Sequence, residues 1–113
     1  MACIFCEIVA GRVPSQSVYH SEDVTAFRDI DPKAPTHILI VPNRHIAFLA
    51  DVKSSDGELL ARIVEVANDL ARQEGIAQSG YRLVVNSGPD AGQTVAHLHV
   101  HLLGGRPMTW PPG

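Results

Sequence analysis

The sequence predicts an α+β domain with a mainly antiparallel sheet. Three observations carry that expectation: several short apolar segments of strand character, one long segment of helical periodicity between them, and turn-forming residues at the junctions. Length and composition agree. The 113 residues are 45% hydrophobic and 19% charged, ordinary for a globular chain and enough for one core. One domain over residues 1–113 is expected, with residues 106–113 as its tail.

In chain order, IFCEIVAG reads as a short helix closed by Gly11. SVYHSEDVTAFRDI reads as a hairpin turning at Ser21, Glu22 and Asp23. DPKAPT follows as a loop, because two prolines exclude regular pairing. HILIVP, residues 37–42, is uninterrupted and β-branched, as a buried strand should be. Ser55 and Glu58 have the capping-box spacing and open the long helix. Leu59, Leu60, Ile63, Val64, Ala67, Leu70 and Ala71 form its apolar stripe, and Gly75 stops it. YRLVVN (81–86) is the next strand, SGPDAGQ a loop, and TVAHLHVHLLGG the last strand. The tail RPMTWPPG is too rich in proline for either element.

The net charge of −3 and nine scattered Lys and Arg argue against a nucleic-acid partner, though a few local donors suffice for a small nucleotide. No apolar run approaches the roughly 18 residues of a membrane span. MACIFCEIVAGR lacks the basic n-region of a signal peptide, so a cytoplasmic location is expected. Cys3 and Cys6 are the two cysteines, and their C-x-x-C spacing in a reducing compartment points to metal or redox chemistry.

Three of the six histidines occupy alternate positions of HLHVHLL. On a strand His97, His99 and His101 then share one face, about 7 Å apart, while Leu98, Val100 and Leu102 grip the core. Such a patch can chelate a transition metal, or one imidazole can act as a nucleophile while its neighbours orient it. The preceding loop brings Gly92, Gln93 and Thr94 beside the histidines. Backbone N–H groups and a hydroxyl there suit a phosphoryl oxygen, whose charge needs donors fixed in advance.

At this point the residues resemble the histidine triad (HIT) family. HLHVHLL matches its His-φ-His-φ-His-φ-φ signature. FRDIDPKAPTHILIVPNRHI, NSGPDAGQTVAHLHVHLLGGR and the terminal WPPG resemble the Hint-like branch over nearly the whole chain. The resemblance implies a HIT fold, with a five-stranded sheet, one long and one short helix, and a homodimer whose sheets join into ten strands. It implies hydrolysis of purine nucleoside 5′-phosphoramidates and acyl-adenylates through a nucleotidyl-histidine intermediate, with no metal needed for the chemistry. The alternatives are a dinucleoside polyphosphate hydrolase of Fhit-like type and a non-enzymatic nucleotide-binding module.

By the same resemblance His99 is the nucleophile, His101 contacts the phosphate and His37 supports the triad. Gln93 and Thr94 hold the phosphate, with Thr94 standing where many Hint-like members have serine, and Gly92 belongs to the same loop. Phe5, Ile8, Phe27 and Ile30 enclose the base, though the residues alone read equally as core. Asp29 takes the ribose hydroxyls, since a carboxylate accepts from two vicinal O–H donors, and Asn86 is a further matched position. Trp110 reaches the partner's site as a specificity residue. The CIFC start resembles the bacterial-type zinc site, with Cys3, Cys6, His45 and His97 as ligands of a structural zinc.

Overall fold

The computed structural model describes residues 3–113. Helix α1 (Ile4–Val9) precedes strands β1 (Ser17–His20), β2 (Val24–Arg28) and β3 (Thr36–Pro42). The long helix α2 (Gly57–Gln73) and strands β4 (Tyr81–Val84) and β5 (Val100–Gly104) complete the fold. The five strands form one antiparallel sheet in the order β1-β2-β3-β5-β4.

β3 is buried along its whole length because both faces of the sheet are covered there. Ile38 and Ile40 point to α2 and join Val24, Ala26, Val100, Leu102, Ile63, Val66 and Leu70 in the larger core. Leu39 and Val41 point the other way and meet Phe5 and Phe27 under α1. Each fully buried aliphatic side chain of this kind contributes about 1.5–3 kcal/mol. The smaller core lies on the histidine side, so α1 does more than cover an edge: its Phe5 packs against the histidines themselves.

Two features of the long helix differ from the sequence expectation. The helix begins at Gly57 with Asp56 as N-cap, and Ser55 lies in a 3₁₀ turn, Ser54–Asp56. Asp56 Oδ2 accepts from the Lys53 N–H at 2.9 Å and Oδ1 takes Arg44 at 2.5 Å. Those bonds close the turn one residue after Ser55, so the capping box of Ser55 and Glu58 does not form. The buried stripe uses Val66, whereas Val64 is exposed, because a one-residue step from Ile63 rotates the side chain about 100° off the stripe. Gly75 ends the helix as expected, with φ +75° and its N–H on the Arg72 carbonyl.

β4 stops at Val84, short of Asn86, and β5 begins only at Val100. Residues before Val100 leave the ladder because the Leu98 N–H is taken by the Ile46 carbonyl at 2.6 Å. Only His101 of the three histidines therefore stands on a hydrogen-bonded strand, opposite Leu39.

Candidate active site and metal cluster

Although His97 and His99 precede β5, the alternation persists through them. Leu98, Val100 and Leu102 are buried, Val100 and Leu102 in the α2 core. The rings of His99 and His101 lie 5.0 Å apart, and Phe5 meets His99 edge-on at 5.1 Å. Tautomers follow from the partners. His99 Nδ1 is 2.7 Å from the His97 carbonyl, which can only accept, so Nδ1 carries the hydrogen and Nε2 keeps its lone pair.

A second chain of bonds orients His101. The Lys33 N–H donates to His37 Nδ1 at 3.0 Å, so the His37 hydrogen sits on Nε2. His37 Nε2 lies 2.9 Å from His101 Nδ1 and donates to it, which leaves the His101 hydrogen on Nε2. That Nε2 is buried with no partner in the protein. Burial holds the His101 pKa down to about 4, helped by His99 and His37 and opposed by Asp29. Burial also lowers His37. His101 is thus a neutral imidazole presenting one N–H that needs an acceptor.

The acceptor's place is a cavity of about 330 Å³, within the range of small-ligand sites. Phe5, Ile8, Phe27 and Leu39 give its apolar wall, with Asp29, Thr94, Val95, His99 and His101 around them. Asp29 lies just past β2, where its N–H bonds the His37 carbonyl at 3.0 Å. Its Oδ1 accepts from the Asp31 N–H at 2.8 Å, and Oδ2 stands 3.4 Å from His37 Nε2, so the carboxylate has partners. Ile30 is wholly exposed at the rim. Leu39 and Val95 were not anticipated; the register partner of His101 on β3 would have pointed to Leu39.

The glycine loop departs from expectation. Gly92 (φ +85°) returns its N–H to the Pro89 carbonyl, and the Gln93 N–H goes to Gly88. The Gln93 side chain accepts from the Gly88 N–H at 2.9 Å and donates to the Ala47 and Val95 carbonyls at 2.9 and 3.0 Å. These donors are engaged in bracing the loop and do not face the cavity; Thr94 does. Asn86, Gly92 and Gln93 are absent from the cavity wall. Trp110 is 81% exposed and lies under the guanidinium of Arg82, which also donates to the Thr109 carbonyl at 3.0 Å.

Cys3, Cys6, His45 and His97 converge beside this cavity, their ligand atoms all within 4.8 Å of one another. Cys3 Sγ and Cys6 Sγ lie 3.4 and 3.5 Å from His97 Nδ1, and Cys6 Sγ is 3.3 Å from His45 Nδ1. Those spacings match the roughly 3.5 Å S···N edge of a tetrahedron with Zn–S near 2.3 Å and Zn–N near 2.0–2.1 Å. His97 Nε2–H donates to the Pro42 carbonyl at 2.8 Å, which turns the Nδ1 lone pair toward the sulfurs. Burial lowers the His97 pKa, which favours the neutral ring. Burial and the neighbouring Cys3 raise the Cys6 thiol, a conflict that a shared cation relieves. The donor set fits a tetrahedral S₂N₂ site. A wider depression of about 700 Å³ between the hairpin and α2 is lined by charged residues that include the Arg44–Asp56 pair and holds no histidine.

Fold and site together define an α+β protein of the histidine-triad class. The chain belongs to the HIT domain family, whose profile matches residues 10–108. It is 51% identical over 105 residues to the purine nucleoside phosphoramidase of Escherichia coli, covering 93% of this chain and 88% of the relative. It is 50% identical over 112 residues to the 14 kDa zinc-binding protein of Zea mays, covering 97% and 87%. The crystal structure of a HIT family hydrolase from Legionella pneumophila superposes with a TM-score of 0.98 at 53% identity, over 99% of this chain and all of that one.

Proposed function

We propose that the protein hydrolyses purine nucleoside 5′-phosphoramidates, and acyl-adenylates, releasing the nucleoside monophosphate. The observation that carries this reading is the pair of histidines at the cavity wall, His99 with a free Nε2 lone pair and His101 with an unpartnered Nε2–H. The E. coli relative's name supports it.

The base lies between Phe5, Ile8 and Phe27, and the ribose hydroxyls donate to Asp29. Ile30, wholly exposed, closes over the base only as a rim. His99 Nε2 attacks phosphorus, forming an N–P bond while the P–N bond of the substrate breaks with its electron pair going to nitrogen. That nitrogen takes a proton from solvent on the exposed Thr94 side and leaves as the amine. The His101 N–H and the Thr94 hydroxyl stabilise the charge on the phosphoryl oxygens. Water then attacks the nucleotidyl-histidine, the N–P bond breaks back to the His99 lone pair, and a proton returns to solvent. Because His37 fixes the His101 tautomer, it acts as a positioning residue. Gln93 and Gly92 serve by bracing the loop around Thr94.

Cys3, Cys6, His45 and His97 would hold a structural zinc, which closes all four positions and pins α1 beneath the histidines. The zinc-binding name of the maize relative supports this. Free cysteines and the absence, among the described residues, of a helix long and apolar enough to cross a membrane suit a cytoplasmic role. The unpaired edge of β4 is where a second copy would extend the sheet to ten strands and bring its Trp110 toward this site.

The test is release of a fluorogenic amine from an adenosine phosphoramidate. The wild type should turn over rapidly, and His99→Asn should lose at least about a thousandfold while still binding the nucleotide. No release from the wild type would overturn the reading.

A further inference from the structure

Thr94 stands on the wall between two concavities. One is the cavity just described. The other, of about 170 Å³, is lined by Phe48, Gly88, Pro89, Gln93, Thr94 and Ala96. A site of that size holds about one aromatic ring, since an apolar cavity near 150 Å³ accepts benzene.

The second pocket is built by specific bonds. Gln93 ties its two walls together, donating to the Ala47 carbonyl beside Phe48 and accepting from the Gly88 N–H. The Phe48 N–H bonds Asp51 Oδ2 at 3.2 Å, and the Asp51 N–H returns to the Phe48 carbonyl at 2.9 Å. This closed turn holds the Phe48 ring out in solvent, 40% exposed, where burial would otherwise be favoured. No lining residue carries a charge.

We infer that this pocket receives the leaving group, and that Phe48 selects an uncharged aromatic or flat apolar amine. The inference rests on the phosphoramidate reading and deepens it. With the nucleoside in the larger cavity and phosphorus at His99, a group displaced in line departs on the far side of the phosphorus. The concavity that shares Thr94 with the nucleotide cavity is there to take it. An anionic leaving group such as a nucleoside polyphosphate would find no cation among the six lining residues, so desolvating its charge would go uncompensated. A ring stacked on or edging against Phe48 gains contact that a small amine does not.

Two adenosine 5′-phosphoramidates decide it, one made with 2-phenylethylamine and one with methylamine, whose nitrogens are both primary alkylamines. The wild type should show kcat/KM about tenfold higher for the phenylethyl compound. Phe48→Ala should bring the ratio near one, Ala96→Leu should do the same by filling the pocket, and Phe48→Tyr should keep the ratio. Both sites are exposed, and equal melting temperatures would verify folding. Turnover of both compounds with a ratio that neither Phe48→Ala nor Ala96→Leu changes would overturn the inference and leave the phosphoramidate reading intact. No turnover of either compound by the wild type would overturn both.

Discussion

Acid should destabilise this protein through His101 in a calculable way. In the unfolded chain a histidine titrates near 6.5, whereas in the fold His101 is held to about 4 by burial, by His99 and by His37. The folded pKa is the lower one, so between pH 6.5 and 4 the unfolded state binds the extra proton. Stability is therefore lost as pH falls through that window, with no contribution from this group above it. At pH 5 the difference amounts to about 2 kcal/mol, an upper figure because His101 is partly accessible. Two assays check it. Ring resonances of His101 followed by NMR should stay those of a neutral imidazole, hydrogen on Nε2, down to about pH 5. Urea denaturation at fixed protein concentration should show the wild type losing more stability from pH 7.5 to 5 than His101→Asn. Acid loss of any metal is common to both proteins and cancels in that difference. A His101 midpoint near 6.5, or equal losses in the two proteins, would refute the burial argument and with it the assignment of a neutral donor.

Other outcomes follow from the packing and the cluster. Ile38→Ala, at a position with no exposure between sheet and α2, should cost about 2–5 kcal/mol in chemical denaturation. Cys6→Ser should abolish bound zinc, measured by elemental analysis of purified protein, and lower the melting temperature. Gly105→Ala should destabilise by at least about 1 kcal/mol, since φ is +91° and the added Cβ would sit 2.8 Å from Pro35 Cβ. His37→Ala should lower kcat more than it raises KM, because it frees the His101 tautomer without touching the nucleotide.

The period-2 alternation of HLHVHLL was legible because it reflects pleat geometry that survives even where the ladder does not, at His97 and His99. The uninterrupted HILIVP segment announced a strand buried on both faces for the same reason. Side-chain-to-backbone bonding was harder to see. Nothing local to Gln93 says that its amide will reach Ala47, 46 residues earlier, and with Gly92 it imitates a phosphate loop although the N–H groups of both residues turn back into the loop. Asp56 likewise displaced the capping box through Arg44, a partner 12 residues away. The cavity residues Leu39 and Val95 read as ordinary apolar positions until the β3–β5 register placed Leu39 opposite His101.

His97 gives its ring to the sulfur cluster and its carbonyl to the Nδ1–H of His99. One residue thus serves both groups, and among the described residues the His99 ring has no other anchor for that hydrogen. A displacement of His97 by its sulfur partners would also move the carbonyl that orients the His99 ring. On the proposed mechanism, the geometry of the N-terminal turn therefore bears on how the His99 ring is oriented as well as on stability.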